Sequence, residues 1–160
     1  MVSHILLAGD CDPTISVGGI LPAIGGNIRV GNSETFVTEA CEYTNSFLSF
    51  FPKISIILNM DADHLDFFKD IDDIRHSFRR FAELLPADGT LIINADTPKY
   101  EDIIRDLPCN VITYGLEHDA DYQAADITYD KYGHASFSVL RNGVKVGSYY
   151  LKVPGIHNVS

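Results

Sequence analysis

Two patterns of hydrophobic and polar positions divide the chain, and the change lies near Gly115. Before it, short apolar runs alternate with stretches of helical spacing. The runs that predict buried strands are 36–40, 54–59, 90–94 and 110–114. Helices are predicted at 72–85, which stops before Pro86, and at 97–107, which opens on Thr97-Pro98. This alternation predicts an α/β fold with a mostly parallel sheet flanked by helices.

After Gly115 the period of the pattern changes to two, which is typical of strands with one exposed face. The alternating segments are 122–129, 134–140 and 144–153, and Asn142-Gly143 between the last two is a strong hairpin signal. We therefore predict a small antiparallel meander over 116–154, attached to an α/β body over 1–115. Together they form one domain over 1–160.

The beginning of the chain has an unusual pattern. His4 to Gly9 is typical of the last turns of a helix, and the stretch from Gly18-Gly19 to Gly25-Gly26 predicts a loop. No G-x-x-x-x-G-K-[ST] motif occurs anywhere, so we expect a plain loop instead of a phosphate cradle. A domain that begins with the end of a helix is expected to be truncated.

Composition and charge narrow the choice of partner. The 160 residues suffice for one domain with a core, and 12 Lys plus Arg against 22 Asp plus Glu give a net charge of −10. Such a chain is a poor ligand for nucleic acid, and an anionic substrate would need a metal ion or basic groups from other segments. Three separated cysteines and the lack of a long apolar run predict an untargeted cytoplasmic protein that does not bind membranes.

Candidate chemistry lies at the ends of two predicted strands. Glu39 ends the first, and the segment N-M-D-A-D-H-L-D, which contains His64, follows the second. Ligands of open parallel sheets bind at the carboxyl ends of strands, so we expect both side chains at one edge. A carboxylate and an imidazole there predict an Mg²⁺ site shared with a phosphate-bearing substrate.

Less specific readings apply to the same residues. Acidic residues after a strand often cap the next helix, and at least one of Asp61, Asp63 and Asp66 is expected to be such a cap. A histidine near a helix start is expected to be a neutral ligand or a hydrogen-bond donor. Near the end of the chain, His157 and Asn158 offer groups that recognise a base edge, although that signal is weak by itself.

Four ordered motifs give a more specific indication. E-A-C-E-Y-x-x-S-F-L, N-M-D-A-D-H-L-D, I-I-N-A-D and V-P-G-I-H-N together resemble the central, P-loop NTPase-like domain of the Mur ligases over essentially the whole chain. The resemblance implies an ATP- and Mg²⁺-dependent ligase of peptidoglycan synthesis. In that reaction a sugar-nucleotide carboxylate is phosphorylated to an acyl phosphate, which an amino group then attacks.

The same resemblance assigns roles to residues. It implies that Glu39 and His64 are catalytic metal ligands. The other motif residues are implied to contact nucleotide or substrate: His157 and Asn158 the adenine of ATP, and Glu42, Tyr43 and Ser46 the muramoyl group.

Two features bear on which family member this is. Several sister ligases carry a carbamylated lysine on the helix after the D-H motif, but residues 70–98 contain no lysine. This favours the member that joins L-alanine to UDP-N-acetylmuramate, while a recycling ligase that attaches a preformed tripeptide stays open.

The family's G-T-H-G-K-[ST] loop is not in the sequence, and its UDP-binding and C-terminal domains are also missing from these 160 residues. We therefore expect a fragment that is inactive in isolation and self-associates through exposed apolar surface.

Two readings from other functional classes remain. One is a magnesium-dependent phosphohydrolase that uses Glu39, Asp61, Asp63 and His64 as its metal cluster. The other is a binding module that keeps the fold without the chemistry.

Overall fold

The computed structural model describes residues 1–159, which divide into two compact units, Met1–Cys41 and a second unit that begins at Glu42. The first unit contains a helix and a three-stranded sheet. Its elements are α1 (Val2–Ala8), β1 (Thr14–Leu21), β2 (Gly26–Arg29) and β3 (Phe36–Thr38). Strand β1 is central, antiparallel to β2 and parallel to β3.

The glycine-rich stretch of the first unit is a hairpin. Helix α1 ends at Gly9, as predicted, but the predicted loop over Gly18–Gly26 is wrong because these residues belong to β1, β2 and their connection. Paired glycines show no side-chain alternation, so the strand pattern is hidden in the sequence. Gly25 takes a φ of +69°, a conformation that favours glycine, and so ends the short 3-10 turn Pro22–Ile24 between the strands.

The second unit contains a six-stranded sheet in the order β4-β5-β6-β7-β8-β9. Its strands are Ile54–Ile57, Thr90–Asn94, Asn110–Gly115, Tyr122–Tyr129, His134–Arg141 and Val144–Pro154. Strands β4 to β7 pair in parallel, and β7 to β9 pair antiparallel. The predicted α/β class with a parallel sheet and an antiparallel meander is confirmed, and the meander continues the same sheet through the β6–β7 pairing.

The hairpin between β8 and β9 has the predicted turn. Asn142 and Gly143 both adopt positive φ, 48° and 77°, which is the requirement of the tight turn that Asn-Gly favours. The turn therefore fixes the register of the last hairpin, in which Arg141 pairs with Val144.

Helix α2 spans Ile71–Ala82. Its N-cap is Asp70, whose carboxylate accepts the N–H of Asp73 at 3.0 Å. The expectation that Asp61, Asp63 or Asp66 caps this helix is wrong, because the capping position lies further along the chain. The helix also ends three residues before the predicted Leu85.

Helix α3 is much shorter than predicted. Only Glu101–Ile104 is helical, not 97–107. Lys99 and Asp106 adopt left-handed φ values of +60° and +56°, which interrupt the helix on both sides.

The core of the second unit lies between the parallel strands and the two helices. Its residues that are 3% exposed or less include Ile57, Ile74, Leu91, Ile93 and Ile103. Each such burial contributes about 1.5–3 kcal/mol of transfer free energy. Within residues 1–159, no helix has the length and apolar character needed to cross a bilayer.

Candidate active site

His64 lies in the loop that joins β4 to α2. Its φ is +52°, and its carbonyl oxygen accepts the N–H groups of Phe67 and Phe68, both at 2.9 Å. A non-glycine residue in this conformation costs about 1–2 kcal/mol, so the surroundings must hold it. The expected helix start at His64 is wrong, since a turn follows it and α2 begins at Ile71.

A second segment, Tyr43–Ser49, approaches this loop. It is 3-10 helical but interrupted at Thr44 and Asn45, which have left-handed φ values of 55° and 59°. Two contacts anchor the segment on α2: the Asn45 amide oxygen accepts the hydroxyl of Ser77, and the Phe47 ring stacks on Phe81 at 4.6 Å. The anchored segment places Glu42 and Tyr43 beside His64.

Side chains of the two segments contact each other. Glu42 Oε1 lies 3.5 Å from His64 Nε2, and the Tyr43 and His64 ring centroids are 4.6 Å apart. The Tyr43 hydroxyl donates to Asp66 Oδ2 at 2.8 Å, and this hydrogen bond to a carboxylate raises the pKa of Tyr43. The structure therefore brings together Glu42, Tyr43 and His64, which the sequence identified as separate candidates.

A cavity of about 200 Å³ lies beside the same loop. Its lining includes three apolar side chains, Met60, Phe68 and Phe78, and three carboxylates, Glu42, Asp61 and Asp63. The Asn59 side chain, which also lines it, donates to Asp61 Oδ2 at 3.0 Å. Three carboxylates around one cavity favour a cation or a cation-bearing ligand over a bare anion.

Glu39 belongs to the first unit, directly after β3. Its Oε2 accepts the N–H of Gly18 at 2.7 Å, and its own N–H donates to the carbonyl of Ser16 at 3.0 Å. A Cβ at Gly18 would lie 3.2 Å from that carboxylate oxygen, so glycine suits the close approach. His64 belongs to the second unit, and the joint binding of a cation by Glu39 and His64 stays a prediction.

The oxygen and nitrogen donors of the second unit could supply only part of the coordination shell of a hard cation. Within residues 1–159, no group of three or more His, Cys, Asp or Glu side chains is arranged to hold a metal ion. Mg²⁺ typically binds one or two carboxylates and completes its shell with waters and substrate phosphates. Glu42 and His64, with Asp61 and Asp63 nearby, fit that partial role.

The remaining candidates lie apart from this loop or are engaged locally. The Ser46 hydroxyl donates to the Tyr43 carbonyl at 2.9 Å and so stabilises the turn. His157 and Asn158 form a 3-10 turn after β9, where Asn158 Nδ2 donates to the Pro154 carbonyl at 2.9 Å. Strand β9 is the opposite edge of the sheet from β4, about 24 Å away at roughly 4.8 Å per strand.

One carboxylate has a role that the sequence did not reveal. Asp96, at the end of β5, accepts the N–H groups of Leu116, Glu117 and His118 at 2.6–3.1 Å and the His118 ring Nδ1 at 2.9 Å. Burial raises the pKa of Asp96, but these hydrogen bonds outweigh it and the pKa is lowered. In the sequence, the only trace of this role is the glycine at position 115. A Cβ there would lie 3.1 Å from both Asp96 oxygens, so a larger residue would crowd the carboxylate.

Comparison with known families and sequences supports the motif analysis. The profile of the Mur ligase middle domain matches residues 21–160. The UDP-N-acetylmuramate–L-alanine ligase of Lachnospira eligens is 61% identical over 160 residues, which are 99% of this chain and 35% of that protein. The corresponding ligase of Clostridium perfringens is 54% identical over 160 residues, 100% of this chain and 35% of the relative. The chain thus spans about a third of the length of these curated relatives.

Solved structures have the same fold. The UDP-N-acetylmuramate:L-alanyl-gamma-D-glutamyl-meso-diaminopimelate ligase of Neisseria meningitides superimposes with a TM-score of 0.82 at 25% identity, covering 96% of this chain and 51% of that one. The UDP-N-acetylmuramate-alanine ligase of Thermotoga maritima gives 0.81 at 26% identity, covering 99% and 34%. The resemblance carried by the four motifs is confirmed.

Proposed function

Because the chain belongs to the Mur ligase family through its middle domain, we propose that it is part of an ATP-dependent ligase that joins L-alanine to UDP-N-acetylmuramate in peptidoglycan synthesis. The observation that carries the proposal is the Glu42–His64 pair beside an acidic cavity, after a strand of a parallel sheet. Alanine is favoured over a preformed tripeptide because relatives at 54% to 61% identity are described as L-alanine ligases.

The proposed reaction has two steps. The carboxylate of the sugar nucleotide attacks the γ-phosphorus of ATP, which releases ADP and leaves an acyl phosphate. The amino group of L-alanine then attacks the acyl carbon, expels inorganic phosphate and loses a proton, which forms the amide bond. Mg²⁺, when bound, supplies neutralisation of phosphate charge.

The residues of this chain divide that work. Glu39 and His64 are proposed to hold Mg²⁺, and Glu42 lies beside His64 at the cavity. Phe68 and Phe78 also line the cavity and are proposed to limit the access of water to the reacting groups.

The nucleotide and the muramoyl group have their own proposed contacts. His157 and Asn158 are proposed for the adenine of ATP; the contacts of Asn158 within residues 1–159 use its amide nitrogen, which leaves the carbonyl oxygen to accept from the adenine amino group. Glu42, Tyr43 and Ser46 lie together and are proposed to flank the muramoyl group. The cytoplasm, where ATP is available and free cysteines persist, is the proposed compartment.

A chimera tests the proposal. This chain would replace the matching 160 residues of the Lachnospira eligens ligase, and phosphate release from ATP would be measured with UDP-N-acetylmuramate and L-alanine. We expect the chimera to be active. We expect Glu39→Ala or His64→Ala in the chimera to lower the rate at least about 100-fold. Activity with the tripeptide but not with L-alanine would indicate the recycling reaction instead.

The isolated chain is proposed to be inactive and to self-associate. It has no G-x-x-x-x-G-K-[ST] motif, so we expect no ATP turnover, and phosphatase activity on a generic phosphate ester with Mg²⁺ would favour the phosphohydrolase reading. Self-association is supported by the exposed apolar side chains of the edge strand β4. Ile54 and Ile56 are 63% and 41% exposed, and Leu58, directly after the strand, is 62% exposed. A single monomeric species in sedimentation at all concentrations would contradict it.

A further inference from the structure

We propose that Tyr43 is a positioning residue that, anchored by Asp66, holds the imidazole of His64 against Glu42. The inference rests on the proposed function, in which His64 binds the cation. It gives the Tyr43 hydroxyl a task within the protein, in addition to the proposed place of Tyr43 beside the muramoyl group.

The hydroxyl of Tyr43 is already engaged. It donates to Asp66 Oδ2 at 2.8 Å, a charge-assisted hydrogen bond, and a phenol has a single proton to donate. The donor is therefore committed to the His64 loop, because Asp66 is two residues beyond His64.

The ring of Tyr43 contacts two members of the same turn. It lies 4.6 Å from the His64 ring at 32° and 6.1 Å from the Phe67 ring at 77°. With the hydroxyl on Asp66, one tyrosine contacts three positions of a turn of four residues. Aromatic pairs of this kind favour defined geometries, so the ring limits the orientations of the imidazole.

The loop itself does not fix the imidazole. His64 contacts its own loop through its backbone, whose carbonyl accepts from Phe67 and Phe68 and whose N–H donates to Asp63 Oδ1 at 2.7 Å. The other Asp63 oxygen, Oδ2, lies 3.9 Å from the ring Nε2, which is too far for a hydrogen bond. The nearer side-chain contacts come from Glu42 and Tyr43. Since His64 is only about one-third exposed, loss of the Tyr43 ring would free the imidazole to turn into solvent.

A measurement without metal tests directly whether Tyr43 positions the His64 imidazole. In proton NMR spectra of the 160-residue chain, we expect the ring current of Tyr43 to shift the His64 ring protons. Tyr43→Phe should keep most of this shift, and Tyr43→Ala should abolish it. Asp66→Ala should reduce it, whereas Asp66→Asn, which keeps an acceptor oxygen, should restore it. An unchanged His64 shift in Tyr43→Ala would overturn the proposal.

Mn²⁺ as a probe tests the consequence. We expect paramagnetic broadening of the His64 ring signals, with an apparent affinity that falls about tenfold in Tyr43→Ala and about threefold in Tyr43→Phe. Tyr129→Ala, an exposed tyrosine on β7, is the matched control and should leave the affinity unchanged. Equal affinities for wild type and Tyr43→Ala would also overturn the proposal.

His64→Ala separates this inference from the proposed function. If His64→Ala abolishes Mn²⁺ binding while Tyr43→Ala does not, only the positioning role fails. If His64→Ala binds Mn²⁺ as wild type does, or wild type shows no broadening at His64, the cation site itself fails. Should Tyr43→Ala misfold, as its amide spectrum would show, the Asp66→Ala and Asp66→Asn pair decides.

Discussion

The loops that follow the adjacent parallel strands β4 and β5 begin with the same residue types and use them differently. Each connection carries an Asn-x-Asp sequence: Asn59–Asp61 follows β4, and Asn94–Asp96 begins at the last residue of β5. In the first loop the Asn59 amide nitrogen donates to the Asp61 carboxylate. In the second the Asn94 amide oxygen accepts the N–H of Asp96 at 2.9 Å, which turns the backbone.

The carboxylates have different surroundings as a result. Asp96 accepts four hydrogen bonds from residues 116–118, three of them from backbone N–H groups, and its side chain is 19% exposed. Within residues 1–159, the carboxylates of Asp61 and Asp63 accept one hydrogen bond each; both residues are exposed and line the cavity. A carboxylate whose lone pairs are taken by backbone N–H groups acts as a structural joint, whereas one that faces a cavity is available to a ligand.

The largest expected effect on stability comes from removing the Asp96 carboxylate. Asp96→Ala leaves three backbone N–H groups without their acceptor, and we expect it to lower the free energy of unfolding by about 3 kcal/mol. Urea denaturation followed by tyrosine fluorescence measures this cleanly, because all eight tyrosines lie in the second unit and the chain has no tryptophan. The matched control, Asp61→Ala, should stay within about 0.5 kcal/mol of wild type. Equal losses in both variants would remove the distinction between the loops.

The second prediction uses pH. The pKa of Asp96 is lower in the folded state than its unfolded value of about 3.9, so its stabilisation is present above that pH and is lost as pH falls through the folded pKa. We expect wild type to lose stability below about pH 4 more steeply than Asp96→Asn, in urea melts at matched pH. Other carboxylates, such as Asp130 with a pKa of about 2, contribute to both proteins and cancel in the difference. Parallel curves for the two proteins would show that Asp96 does not carry this linkage.

The strands before both loops could be predicted from local pattern, although β4 ends at Ile57 and not at the predicted residue 59. Strand β5 lies at its predicted bounds, 90–94, because a continuous apolar run follows Asp88-Gly89. Strand β7 likewise occupies its predicted bounds, 122–129, where the pattern alternates except at Ala124-Ala125, and its pairing with β8 shifts register after Ala125. Where alternation is hidden, as in the glycine-rich β1–β2 hairpin, the prediction failed.

Non-local contacts explain what the sequence left unpredicted. Helix α3 ends early, and the Arg79 guanidinium of α2 donates to the Ile103 carbonyl at 2.8 Å, a contact across 24 residues. Glu42, Tyr43 and His64 were each identified from motifs, but their meeting depends on Phe47 stacking on Phe81. Such pairings follow from tertiary packing, which single-sequence patterns do not encode.

The smallest expected effect concerns the two asparagines, and it isolates the backbone from the carboxylates. Asn94→Ala removes the acceptor of the Asp96 N–H, and we expect a loss of about 1 kcal/mol in the free energy of unfolding. Asn59→Ala removes only a bond between two exposed side chains, so its urea midpoint should match wild type. If Asn59→Ala were the more destabilising of the two, the β4 loop would also depend on its Asn-x-Asp start for its fold. The carboxylates Asp61 and Asp63 would then serve to hold the loop, and Asp61 would no longer be a candidate to bind a ligand.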